Sequence, residues 1–278
     1  MHQSQYQHII DRALAEDLGS AGDISSEGAI PSDATAAAHV VARQEGTLAG
    51  LEVARQVFLT IDPATEVRLL KNDGGRVPSG AKLITVAGAS RSLLMAERTA
   101  LNLLGMMSGV ATATARLVAA VAGTNARVAD TRKTLPGLRG LQKYAVRMGG
   151  GINHRFGLFD AVMIKDNHLI AAGGIRAAVE SARGRVGHAV TIEVEVTSIE
   201  QLKELLTVGA DIVLLDNMTP ELLSEAVALV DGQMLIEASG GVTPDTIRAI
   251  AETGVDIISS GWITHSAPNF DVALDFVS

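Results

Sequence analysis

Apolar and polar positions fall into two kinds of pattern along the chain. In the second half, short apolar runs end in Gly or a polar residue, and amphipathic stretches follow them. The runs occupy residues 127–130, 161–165, 189–196, 211–216, 234–239 and 256–260. The stretches between them include 198–207, 219–230 and 243–253. Each of these three opens with Ser or Thr, a natural N-cap. The last two carry Pro220 and Pro244 near the first turn, where Pro is tolerated. Two runs echo each other, GADIVLLD from Gly209 and GVDIISS from Gly254. Continuous apolar runs alternating with helices predict parallel strands buried on both faces. Six such units, spaced by roughly 20–35 residues, predict a (β/α) barrel or a doubly wound sheet. No Gly-x-Gly-x-x-Gly follows any of the strands, which weighs against a dinucleotide-binding sheet.

The first third has a different rhythm. Short strands are predicted at 36–43, 66–70 and 82–87, with a Gly/Pro turn cluster at 74–80 and further breaks at Ile30-Pro31 and Asp62-Pro63. Residues 51–60 and 90–121 have helical spacing, the second long enough to break near Gly105 or Gly109. Residues 1–110 are therefore expected to form an α+β domain. It leads into a catalytic domain at 111–278, whose final residues are free to pack back on the first.

Composition narrows the class. The chain has 278 residues, 47% of them hydrophobic, with a formal net charge of −8. That is a globular composition, too apolar for disorder. Without Cys there is no disulfide framework, thiolate metal site, iron–sulfur cluster or cysteine nucleophile. Acidity and only eight aromatic residues argue against nucleic-acid binding. No apolar run reaches the roughly 18–20 residues of a membrane span, so no membrane segment is expected. Residues 1–20 are polar and include Asp11, Glu16 and Asp17, unlike a signal peptide, so a cytoplasmic location is expected.

One segment departs from the acidic average. Residues 130–168 hold seven Lys/Arg against three Asp/Glu, a local excess that faces something anionic. These cations stand where the first two strands end: Asp130-Thr131-Arg132-Lys133 and Lys165-Asp166-Asn167-His168. Carboxylates mark the third and fourth strands, at Glu193, Glu195 and Asp216. Gly and Ser mark the fifth and sixth, at Ser239-Gly240-Gly241 and Ser260-Gly261. Chemistry in parallel α/β architectures gathers beyond the strands' C-terminal ends. Cations there suit carboxylates or phosphates. Paired carboxylates suit Mg²⁺, and Ser-Gly turns offer backbone N–H groups to phosphate. The combination fits a phosphorylated, Mg²⁺-bound ligand together with a second anion. Gly149-Gly150-Gly151 before Asn153-His154-Arg155 adds a turn allowing close backbone approach. Glu193 and Glu195 share a strand face, so either could meet the ligand. Taken alone, Arg132-Lys133 would be a solvated turn, His154 a structural histidine and His168 a helix cap.

At these residues the sequence resembles the quinolinate phosphoribosyltransferases. The resemblance rests on DTRKTLPGLR from Asp130, KYAV from Lys143, GGGINHR from Gly149 and IKDNH from Ile164. It extends through EDLG from Glu16, AERTALN from Ala96, EVE from Glu193, LLDN from Leu214, EASGG from Glu237 and THSAP from Thr264. It implies an N-terminal α/β sandwich plus an incomplete (β/α) barrel of six to seven parallel strands. It also implies a homodimer or higher homo-oligomer with active sites at the subunit interface. The implied reaction converts quinolinate and phosphoribosyl pyrophosphate, with Mg²⁺, into nicotinate mononucleotide, pyrophosphate and CO₂.

Carried over, the resemblance assigns Arg132, His154 and Arg155, with Thr131 beside them, to the quinolinate carboxylates. Arg98 joins from a neighbouring subunit. Lys133 and Lys165 lie near both substrates. Glu195 and Asp216 face the ribose and hold Mg²⁺, directly or through water. Ser239, Gly240, Gly241, Ser260 and Gly261 take the 5′-phosphate. Arg139 and Lys143 either face substrate or bind groups nearby. Ser260 and Trp262 depart from the family pattern, which has smaller or more apolar residues there. Two alternatives stand beside this reading. One is the molybdenum-associated ModD-type relative, which shares Asp-Thr-Arg-Lys but lacks the Asn-His-Arg and Lys-Asp-Asn-His elements. The other is a non-catalytic binder of a phosphate ligand.

Overall fold

A computed structural model describes residues 1–277 of the chain in two compact units. The first comprises Met1–Ala115, Thr134–Gly150 and the stretch from Ser266; the second comprises Arg116–Lys133 and Gly151–His265.

The first unit is built on an antiparallel sheet. Its strands run in the order Val272–Phe276, Thr35–Ala42, Lys82–Ala89, Glu66–Leu69. The helix Leu51–Ile61 buries Leu51, Val53, Ala54, Val57 and Phe58, the stripe expected of helical periodicity. Asp73 caps its start, accepting from Gly50 N–H at 3.0 Å and Leu51 N–H at 3.1 Å. Tyr144 O–H also donates to Asp73, at 2.8 Å. Burial and that carboxylate hold the phenol well above its ordinary range.

The predicted break near Gly105 or Gly109 does not occur, and one helix runs from Ser90 to Ala120. The glycines serve close approach instead. A Cβ on Gly105 would lie 2.8 Å from the Phe270 carbonyl oxygen, and one on Gly109 2.2 Å from that of Pro268. Gly105 O accepts from Phe270 N–H in this crossing. On the same helix Ser108 and Thr112 are buried, and their hydroxyls bond the backbone of Ala49 and Thr47. The helix is long and apolar enough to cross a membrane, but 61% of its most apolar window is buried within the protein. It is a core helix of the fold.

The second unit carries six parallel strands in the order Arg127–Ala129, Ile257–Ser259, Leu235–Ser239, Ile212–Asp216, Ile192–Val196, Val162–Ile164. The first two in sequence, Arg127–Ala129 and Val162–Ile164, form opposite edges, so the barrel is open between them. A single parallel bridge from Ala129 to Ile152 extends the first edge. Ser198 and Thr219 cap the helices Ile199–Val208 and Pro220–Val230, accepting from Gln201 N–H and Leu222 N–H. The helix predicted from residue 243 instead begins at Ile247. Thr243 N–H donates to Thr246 Oγ1, which itself donates to the Gly241 carbonyl. These bonds hold residues 241–246 as a turn, with Pro244 inside it.

At the N-terminal ends of the strands, the echoed Gly-x-Asp runs place Asp211 and Asp256 alike. Asp211 Oδ2 accepts from Ile192 N–H at 2.7 Å, and Asp256 Oδ2 accepts from Ile236 N–H at 2.8 Å. Each thereby satisfies an amide at the start of a neighbouring strand, that of the first residue at Ile192 and of the second at Ile236.

Candidate active site

The opposite end of this sheet opens into a cavity of about 350 Å³. Strand alternation directs Glu195, Leu214, Asp216, Glu237 and Ser239 to its wall, and the loops after the strands complete it. Thirteen of the fourteen site residues expected from sequence line it: Thr131, Arg132, Lys133, His154, Arg155, Lys165, Glu195, Asp216, Ser239, Gly240, Gly241, Ser260 and Gly261.

The cations occupy one side. Arg155 Nη1 donates to the Ala161 carbonyl at 3.2 Å, while its Nε is buried with no hydrogen-bond partner. Burial, then the Arg132 guanidinium beside it, pushes the Arg155 guanidinium downward, and Glu193 and Asp160 partly restore it. Lys165 Nζ pairs with Glu195 Oε2 at 2.5 Å. Thr131 Oγ1 accepts from Lys133 N–H, which turns the chain after the first strand.

Under the cavity, buried Asp130 organises the Asn-His-Arg turn. It accepts from Asn153 Nδ2 at 2.6 Å and from His154 N–H at 2.9 Å. The His154 ring reaches Glu193 and Glu237, both buried. On the third strand, Glu195 faces the cavity and Lys165, whereas Glu193 faces His154.

Glycines shape the other side. Gly240 has φ +99°, and a Cβ there would lie 2.1 Å from Asn217 Oδ1, so no side chain fits. A Cβ on Gly261 would lie 2.8 Å from Lys133 Cδ, so its absence lets the lysine stem lie across the turn. Ser260, expected with Gly261 to take the 5′-phosphate, lines the cavity; its hydroxyl donates to the Val242 carbonyl and its N–H to the Ala129 carbonyl. Gly241 and Gly261 remain the open backbone there.

Two groups of side chains could be considered for a cation. Glu195 and Asp216 present carboxylate oxygens from adjacent strands at the cavity surface, the hard donors that suit Mg²⁺. Lys165 shares Glu195. His154, Glu193 and Glu237 bring ligand atoms within 4.8 Å of one another, but His154 Nε2 is already 3.0 Å from Glu193 Oε2. The first group fits Mg²⁺ better.

The remaining expected residue, Arg98, belongs to the first unit and is exposed on the helix Ser90–Ala120. Arg139 donates to Thr134 Oγ1, and Lys143 is fully buried; both belong to the first unit. His168 is exposed and caps the helix Asp166–Ala172, its Nδ1 accepting from Lys165 N–H at 2.9 Å. Sequence reasoning assigned no role to Glu237, Trp262 or His265, which also line the cavity. Glu237 was the legible one, two residues before Ser239 and thus on the same strand face.

Comparison with known proteins adds a separate line of evidence. Residues 23–108 match the family "Quinolinate phosphoribosyl transferase, N-terminal domain", and residues 110–275 the corresponding C-terminal domain. The chain is 44% identical over 271 residues to the nicotinate-nucleotide pyrophosphorylase [carboxylating] of Mycobacterium leprae, covering 96% of this chain and 95% of that one. It is 40% identical over 275 residues to the probable enzyme of the same name from Bacillus subtilis, covering 99% and 94%. The solved nicotinate-nucleotide pyrophosphorylase from Francisella tularensis superposes with a TM-score of 0.95 at 40% identity, covering 100% and 98%.

Proposed function

The chain belongs to the quinolinate phosphoribosyl transferase family, and on that premise we propose that it makes nicotinate mononucleotide for NAD synthesis. Its substrates are quinolinate and phosphoribosyl pyrophosphate; its other products are pyrophosphate and CO₂. The observation that carries the reading is the cation set of one cavity. Arg132, Lys133, Arg155 and Lys165 line it together, and Arg155 Nε is buried without a partner. Leaving a charged donor buried and unsatisfied costs several kcal/mol, on the order of what an anionic ligand recovers by accepting from it.

Arg132 and Arg155, with His154 adjoining, bind the two carboxylates of quinolinate and set its ring nitrogen toward the ribose. Gly240, Gly241 and Gly261 let the backbone approach the 5′-phosphate. Asp216 and Glu195 orient the ribose hydroxyls. The nitrogen lone pair forms the bond to ribose C1 as the bond from C1 to pyrophosphate breaks. Charge then develops on the departing oxygens, where Lys133 and Lys165 stabilise it. Glu195 and Asp216 would hold Mg²⁺, directly or through water, and the ion when bound would lower the charge of the leaving pyrophosphate. Decarboxylation follows transfer: the C2 carboxylate leaves as CO₂, its bonding pair stays at C2 beside the cationic nitrogen, and C2 takes up a proton. Isotope partitioning that found CO₂ released without bound phosphoribosyl pyrophosphate would overturn this order.

The reading further assigns Arg98 to the site of a neighbouring subunit in a homodimer or higher homo-oligomer, and the enzyme to the cytoplasm. Exposure of Arg98 supports the first assignment, and the polar residues 1–20, with Asp11, Glu16 and Asp17, the second. Mixed dimers of inactive Arg98→Ala and Lys133→Ala chains should regain activity; no recovery despite subunit exchange removes Arg98 from the partner's site. For the reaction itself, purified protein should form nicotinate mononucleotide only with quinolinate, phosphoribosyl pyrophosphate and Mg²⁺ together. No product from the complete mixture rejects the proposal.

A further inference from the structure

Two glutamates under the cavity have no task in that mechanism. Glu193 and Glu237 are each 2% exposed. One oxygen of each, Oε1, has no hydrogen-bond partner. Two carboxylates buried side by side are costly, so their presence calls for a use that a neutral residue would not serve. What they share is His154, whose Nε2 lies 3.0 Å from Glu193 Oε2 and 3.6 Å from Glu237 Oε1.

The other ring nitrogen settles the direction of the contact. His154 Nδ1 is 2.7 Å from the Arg155 backbone nitrogen and accepts its N–H. In a neutral imidazole the proton then sits on Nε2 and is donated to Glu193. The backbone of the same turn is held from the opposite side, where Asp130 accepts from His154 N–H and from Asn153 Nδ2. The chain of contacts therefore runs from Glu193 through the ring to the backbone of Arg155. That backbone carries the guanidinium whose Nε is buried and unpartnered.

We propose that Glu193 is a positioning residue: it fixes the tautomer and plane of His154 and thereby places the Arg155 guanidinium on a carboxylate of quinolinate. The proposal rests on the cavity being a quinolinate site. Glu237 packs on the same ring nitrogen from the next strand but one, at the longer distance of 3.6 Å. Glu193 itself touches no reacting atom. Its effect is on substrate affinity through Arg155, so it should separate KM from kcat.

The test compares Glu193→Ala with the isosteric Glu193→Gln in the full chain. Removing a charge-assisted bond of this kind should raise KM for quinolinate about 10- to 100-fold, with kcat changed less than about threefold. Glu193→Gln should return KM to within about threefold of wild type, because the amide oxygen still accepts from Nε2–H. Binding of phosphoribosyl pyrophosphate, read by fluorescence of Trp262 in the cavity wall, should be unchanged in both. A wild-type KM in Glu193→Ala, equal damage in both variants, or loss of both affinities together overturns the proposal. A measurement on the wild type needs neither substrate nor a folded alanine variant. Nitrogen-15 NMR should show His154 with its proton on Nε2 and Nδ1 as acceptor; a proton on Nδ1 alone overturns the proposal. Wild-type turnover of quinolinate tests the substrate reading separately, so failure of one can be told from failure of the other.

Discussion

Acidic side chains stand at both ends of the six-stranded parallel sheet, but in different circumstances. At the N-terminal end, Asp211 and Asp256 each accept a backbone N–H from a neighbouring strand. Asp211 is exposed and Asp256 half-buried, and each spends one carboxylate oxygen on the sheet's own backbone. At the C-terminal end, Glu195 pairs with Lys165 at the cavity wall, Asp216 lines the same wall while accepting from Asn217 Nδ2, and Glu193 and Glu237 each keep one oxygen without a hydrogen-bond partner. Residue type does not separate the two ends; the partners do. At one end the carboxylates meet backbone N–H groups, and at the other they meet the side chains of Lys165, Asn217 and His154 around a cavity.

The largest effect that could break this contrast lies at Arg155. Arg155→Ala should lower kcat/KM for quinolinate about 100-fold, equivalent to about 3 kcal/mol, with little change in melting temperature. A protein that loses stability while keeping its kinetics would reverse the assignment. The N-terminal end should behave in the opposite way. Asp211→Ala and Asp256→Ala should each cost about 1–2 kcal/mol of stability, lowering Tm by roughly 3–6 °C. Their KM values should remain at the wild-type level, as steady-state kinetics on the folded variants will show.

Glu237 sharpens the contrast through pH. Burial first, then Glu193, pushes its carboxyl up to about 7 from an ordinary 4.5, with His154 opposing. The folded state thus keeps a proton that the unfolded chain releases within that interval. This contribution favours folding below about pH 4.5 and fades as pH rises through 7. Replacing the carboxylate by Glu237→Gln should remove the dependence, gaining on the order of 1–3 kcal/mol over wild type at pH 8 and little at pH 4. Parallel denaturant curves for the two proteins across that range would argue against a strained buried carboxylate. The smallest effect belongs to neither end. The exposed pair Arg176–Glu180, at 3.4 Å, should contribute about 0.5 kcal/mol or less, so Glu180→Gln should leave both stability and kinetics unchanged.

Much of the second unit is legible in the sequence, because its signals are local. Apolar runs become strands within a few residues of the predicted ends, and Ser198 and Thr219 cap the helices they precede. The errors arise where a distant or competing partner decides. Gly105 and Gly109 look like helix breaks, yet serve a chain segment more than 150 residues away in sequence. Thr243 looks like a cap, yet its bonds to Thr246 and those of Thr246 to Gly241 hold a turn instead. The partners of the Ser260 hydroxyl and N–H, the Val242 and Ala129 carbonyls, are likewise visible only in three dimensions.

The sequence by itself determined the order of strands and helices, the gathering of cations and glycines at strand ends, and the family to which those motifs point. Local periodicity and residue chemistry suffice for that, since neither depends on what lies across the sheet. The motif also favoured Glu195 for the site; only the tertiary structure decided where the other glutamate of that strand face goes, with Glu193 buried against His154. Sequence spacing makes Glu193 and Glu195 equivalent. They are separated by depth along the strand, because two residues of extended chain, about 6–7 Å, divide the solvent-reached end of the sheet from its interior.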